Sequence, residues 1–209
     1  MVEASRPTPF IEPVAIGVPI ADFLDGFKGE GCDDKPETLR FELHDVESDG
    51  QQIVRYLARL AKIYASNACV IHFAQCLAGS LAQNDDKRSA FERIAGFVLY
   101  QVVYQADPRG VEYVRSPVQM LRRWRDNSGT AYGDCDDHVL LLNSLLGALG
   151  IATRAVAVMI PASESRPASG KFDHVIAQVN LGAGWFDFDP CNKADPLFKF
   201  PGERITMNV

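Results

Sequence analysis

Apolar residues return every three or four positions from Ile53 through Val54, Leu57, Leu60, Ala61 and Tyr64, with Arg55, Arg59 and Lys62 between them. That period is the stripe of an amphipathic helix. A second apolar stretch from Ala68 to Leu81 carries Val70, Ile71, Phe73, Ala74 and Leu77. Asn84-Asp85-Asp86 then offers a helix cap, because a short polar side chain can accept from the unpaired amides of a first turn. Phe91, Ile94, Ala95, Val98, Leu99 and Val102 follow at helical spacing, so residues 50–104 are expected to be mostly helical. Residues 104–110 read as a turn around Asp107-Pro108. Ser116-Pro117 places a cap before a proline at the first helical position, opening a short helix through Trp124. Residues 129–133 read as a loop. Asp134-Cys135-Asp136-Asp137 then starts a helix whose Val139, Leu140, Leu141, Leu142, Leu145, Leu146 and Leu149 are apolar on every side. Such a helix is buried, and Gly150 stops it.

The period changes after Gly150. Residues 152–160, 172–181 and 184–189 are strand-like runs. A loop rich in Ser, Pro and Ala separates the first two, and Gly182-Ala183-Gly184 joins the last two as a hairpin. Residues 199–208 add a candidate edge strand. Helices followed by an antiparallel sheet make an α+β fold. Before residue 50 there is no helical period. Five prolines before position 40 keep this part extended, and alternation over residues 39–44 suggests one strand. The chain divides into an acidic arm or edge segment, 1–49, and a domain, 50–209.

Composition narrows the function classes. The 209 residues are 47% hydrophobic and 23% charged, which excludes a mostly disordered chain. No apolar run approaches the ~20 residues of a membrane helix, so no membrane partner is expected. Residues 1–7 lack a basic segment followed by an apolar core, so no secretory signal is expected. Net charge is −6, unevenly placed: residues 1–50 hold 12 acids and 4 bases, and the remainder 15 acids and 17 bases. Neither part carries a dense basic stripe, which argues against nucleic acid. Five cysteines without regular spacing argue against a disulfide framework and leave at least one free thiol. Cys69 and Cys76, seven apart in an apolar helix, read as core, as does Trp185.

Cys135 opens the buried helix, where unpaired amides and the helix dipole favour a thiolate. His174 begins a later strand and Asp187 and Asp189 lie on the next. In adjacent strands joined by a tight hairpin, His174 and one of these aspartates can lie side by side. The set has the logic of a nucleophile, a general base and an orienting carboxylate. By period two, Asp187 and Asp189 share a face. Asp136 and Asp137 read as caps turned away from the thiol. His138 reads as exposed or as a helix-surface contact. His44 and His72 are isolated. The Cys135 amide is a natural oxyanion donor, with Gln119, Trp124 or Tyr132 as candidates for the second. A zinc site is not expected, because there is no CxxC pair and no fourth ligand.

These residues carry a resemblance. Gly133-Asp134-Cys135-Asp136-Asp137-His138, the helix ending Leu149-Gly150-Ile151, His174-Val175, and Trp185-Phe186-Asp187-Phe188-Asp189-Pro190 resemble the transglutaminase-like superfamily of papain-like cysteine enzymes. The likeness spans about residues 90–192. Residues 104–108 and 112–117 look similar to small bacteriophage-encoded members. The resemblance implies a papain-like fold, with the Cys135 helix packed on an antiparallel sheet. It implies acyl transfer through a thioester, with Cys135 as nucleophile, His174 as base and Asp189, rather than Asp187, as orienting group. It implies no cofactor and no metal. The substrate is expected to be a protein or peptide amide, and the acceptor water or an amine. The rival expectation is a phage structural or assembly protein that binds other virion proteins through residues 1–49. Either role places the protein in the host cytoplasm or the virion. Cys191 stands where the family commonly has threonine, and a Cys135–Cys191 disulfide would give redox control.

Overall fold

A computed structural model of the chain describes residues 38–41, 49–79, 86–108, 112–160, 172–202 and 204–208. The amphipathic stripes become a helical layer: α1 (Asp49–Tyr64), α2 (Ala68–Ala78), α3 (Lys87–Gln101), α4 (Pro117–Asp126) and α5 (Cys135–Ala148). The strands are β1 (Thr38–Phe41), β2 (Val102–Tyr104), β3 (Glu112–Arg115), β4 (Ala131–Gly133), β5 (Ala152–Val158), β6 (His174–Asn180), β7 (Trp185–Phe188) and β8 (Arg204–Asn208). Helix starts follow the local chemistry. Asn67 Oδ1 accepts from the Cys69 amide at 2.9 Å, Asp86 Oδ1 from Ser89 at 3.0 Å, and Ser116 Oγ from Gln119 at 3.1 Å. Each side-chain oxygen pairs an amide that the first turn leaves unbonded.

β5 to β8 form one antiparallel sheet in the order β7-β6-β5-β8. Its register pairs Val158 with His174, Ala177 with Phe188 and Ala157 with Ile205. α5 runs through the middle of the molecule, packed on α1, α2 and α3 and on β5 and β6. Its Val139, Leu140, Leu141, Leu142, Leu145 and Leu146 are fully buried, as the unbroken apolar run predicts. Phe73, Phe97 and Trp124 meet edge-on or tilted within the helical layer. Phe91 bridges to the sheet, with ring centroids 5.4 Å from Phe186 and 5.3 Å from Phe188. A second cluster of Val156, Val158, Ile176 and Phe200 fills the other face of the sheet.

The α+β reading and the order of elements hold. The departures are short pairings made between distant residues. Residues 102–104 leave the helix and pair in parallel with 131–133, which the sequence reads as a loop. β3 falls where no element is expected, and pairs antiparallel with β1. Most of the 1–49 arm and the 161–170 loop lie outside the described residues. Among the described residues no helix is long and apolar enough to cross a membrane. Cys69 is core, as expected, and disulfide-bonded, while Cys76, Cys135 and Cys191 are free thiols. Two expectations about single side chains change. Cys76 is exposed rather than core. Trp185 is 40% exposed, with the Arg154 guanidinium 4.3 Å above its ring.

Candidate active site

The site lies where the start of α5 meets the start of β6 and the turn after β7. Cys135 is the first residue of α5 and partly buried. Its thiol feels the backbone of Val175, which puts the nucleophile candidate beside the start of β6, one residue from His174. His174 Nε2 lies 2.8 Å from Asp189 Oδ2. Asp189 is 3% exposed. Its other oxygen accepts from the Cys191 amide at 3.0 Å, and its own amide donates to Pro196 O at 2.7 Å. A carboxylate only accepts, so Nε2 carries the proton and Nδ1 the lone pair of a neutral ring. The His174 ring also packs 5.6 Å from that of Phe200.

Asp187 is placed elsewhere. It accepts from Gln178 Nε2 at 2.6 Å and from the Arg204 guanidinium at 2.7 Å. β7 ends at Phe188, so Asp189 has left the strand and turns to His174 free of the face that Asp187 shares with Gln178.

A family model of the transglutaminase-like superfamily matches residues 75–190. The chain belongs to that superfamily. No curated protein and no solved structure matches it. The matched part of this transglutaminase-like domain runs from α2 to Pro190 and contains Cys135, His174 and Asp189.

Electrostatics correct one expectation for the superfamily motif. Burial pushes the Cys135 thiol well above its usual range, and the charges of Asp136 and Asp134 push it further. The Val175 backbone opposes them. Loss of solvent thus works against the helix N-terminus at this thiol. Cys191 is also a free thiol, raised by burial and by Asp189. Cys135 and Cys191 are not bonded to each other.

The acids behind Cys135 are organised by a residue that sequence reasoning missed. Asp137 accepts from the Arg115 backbone amide at 2.6 Å and from its guanidinium. Arg115 also reaches Asp107 at 3.3 Å. Asp137 Oδ2 accepts from the Asp134 amide at 3.3 Å, which ties down the helix start. Burial and the Asp134 charge outweigh Arg115 and push the Asp137 carboxyl up to about 7. Gly133 makes this approach possible: a Cβ there would stand 2.6 Å from Asp137 Cβ and 2.8 Å from Oδ2. The glycine two residues before the cysteine is thus a packing requirement. Asp134, Asp136 and Asp137 have ligand atoms within 4.8 Å of one another, as a cation site needs. Arg115 already supplies positive charge to Asp137 there.

His138 is buried, not exposed. Its Nδ1 lies 3.1 Å from Pro190 O, and its ring 6.4 Å from that of Tyr104. The oxyanion candidates separate. Trp124 is in the helical core, edge-on to Phe73 and Phe97, and is withdrawn. Gln119 is buried on α4. Tyr132 is exposed on β4, opposite Val103.

Proposed function

We propose that this protein is a cysteine acyl-transfer enzyme, hydrolysing or transferring a protein or peptide amide through a thioester. We place it among the phage-encoded members that residues 104–108 and 112–117 resemble. The observation that carries this reading is the 2.8 Å pairing of His174 Nε2 with buried Asp189, which leaves Nδ1 as the base. Cys135 attacks the carbonyl carbon as its proton passes to His174 Nδ1. Burial works against the free thiolate, so His174 is the group that takes the proton as the sulfur attacks. Asp189 holds the ring and stabilises the imidazolium. The Cys135 backbone amide donates to the oxyanion, with Tyr132 or Gln119 as the second donor. His174 then protonates the leaving amine, the C–N bond breaks, and water or an amine resolves the thioester.

The test is acylation by 4-nitrophenyl acetate, followed by peptide mass spectrometry. Acetyl is expected on Cys135, with release of 4-nitrophenolate. In His174→Ala its rate should fall by about 10²–10⁴, the usual worth of a positioned general base. No acyl-Cys135, or a rate indifferent to His174, overturns the proposal. A second reading, a binding protein of the virion that keeps the fold, is favoured by the same upward push on the Cys135 thiol. It predicts the overturning result.

A further inference from the structure

The Cys135 half of the site stands on α5 and the Asp189 half on the turn after β7. Their relative placement must be held to within a fraction of an ångström for proton transfer to work. Asp189 is followed at once by Pro190, whose carbonyl lies 3.1 Å from His138 Nδ1. His138 sits three residues after Cys135, on the same side of α5. It is 1% exposed. A carbonyl only accepts, so Nδ1 is the donor and the tautomer is set. Proline supplies no N–H of its own, so the carbonyl is the backbone group through which residue 190 can be held. Nε2 of His138 is buried and has no hydrogen-bond partner among the described residues. A buried histidine that leaves one nitrogen unsatisfied is costly in a core position, and an apolar residue there would avoid that cost.

We infer that His138 is a positioning residue, which locks the Asp189-Pro190 turn onto the nucleophile helix and so sets the aim of the His174–Asp189 pair at Cys135. The inference rests on the proposed function above. Among the described residues, the backbone amides of Asp189, Cys191 and Asn192 bond within the turn itself. The Asp189 amide goes to Pro196 O and the Asn192 amide to Asp189 O at 3.3 Å. The Cys191 amide goes back to Asp189 Oδ1. Burial disfavours the charged form of the His138 ring and pulls it below its ordinary range; the Pro190 hydrogen bond, Asp134 and Asp189 work the other way, and Lys193 sides with burial.

The test is the rate of Cys135 alkylation by iodoacetamide, followed across pH by peptide mass spectrometry. It compares wild type, His138→Leu, His138→Asn and His174→Ala. Asparagine keeps an N–H donor near the place of Nδ1, and leucine removes it at similar volume. Leucine is expected to slow Cys135 alkylation by up to about 10²-fold and to change the shape of the pH profile towards that of His174→Ala. Asparagine should restore most of the rate and the wild-type profile. If leucine leaves rate and profile unchanged while His174→Ala slows the reaction, the positioning role is wrong and the acyl-transfer proposal stands. If His174→Ala itself matches wild type, the acyl-transfer proposal fails first. Should leucine unfold the chain, asparagine decides: a folded variant as slow as His174→Ala overturns the role of the Nδ1 donor. A proton spectrum gives a separate readout. The downfield imidazole N–H signal of the His174–Asp189 pair should persist in asparagine.

Discussion

The residues around Cys135 are tuned by burial more than by the helix dipole. Five cysteines are chemically alike in the chain, but in the fold Cys76 is exposed and raised by desolvation alone, while Cys135 and Cys191 are raised by desolvation and by neighbouring aspartates. Asp137 shows the same force on an acid. Its carboxyl moves from the ordinary 3.8 up to about 7, since burial and Asp134 outweigh Arg115. Between those values the folded state binds the proton more tightly than the unfolded chain. The group therefore contributes stability at low pH that is lost as pH rises through about 7. The melting temperature of wild type relative to Asp137→Asn is expected to fall from about pH 4 to about pH 8. A difference that widens with pH would mean that Arg115 holds Asp137 ionised throughout. That Asp137 would be the acid raised this far was not visible in the chain, where Asp134, Asp136 and Asp137 look equivalent. Its contacts with Arg115, 22 residues earlier, and with Gly133 and the Asp134 amide belong to the fold and not to the local sequence.

At the scale of elements, the caps and stripes were legible and the short strands were not. Asp86, Ser116 and Gly150 act within one or two turns of their own position, so local chemistry decides them. Ser116→Ala should cost about 1 kcal/mol in chemical denaturation. β2 and β4 exist because residues 102–104 find 131–133, and no local period announces a pairing of three residues. That pairing delivers Gly133 to Asp137. Gly133→Ala drives a methyl group to 2.6 Å from Asp137 Cβ, so Asp137 or the start of α5 must shift. Loss of about 1–3 kcal/mol is expected, the usual cost of overpacking, together with slower acylation of Cys135. Unchanged stability and acylation would show that the helix start is not set by this contact. The same substitution at Gly182, on an open hairpin with nothing within 4 Å, should cost stability through its positive φ but leave Cys135 acylation alone.

For the whole molecule, the site depends on the join between the helical layer and the sheet. Phe91 on α3 stacks edge-on against Phe186 and Phe188, directly before Asp189. Phe91→Ala should cost about 3–5 kcal/mol in denaturant unfolding; a cost below 1 kcal/mol would mean the join tolerates the cavity. By itself the sequence determined the helical layer, the buried α5, the order of strands and the trio Cys135, His174 and Asp189 as candidates. Those are set by periodicity, by local caps and by a motif whose spacing is preserved in the chain. Tertiary structure supplied the physical reason for Asp189 over Asp187, which the resemblance had implied: Arg204 and Gln178 occupy the first while the second turns to His174. It alone buried His138 against Pro190, 52 residues away, and took Trp124 into the core. It also raised the thiol that the helix start was expected to ionise. Each of these outcomes is a matter of solvent removed and partners supplied by distant segments, and neither quantity is written in the spacing of residues along the chain.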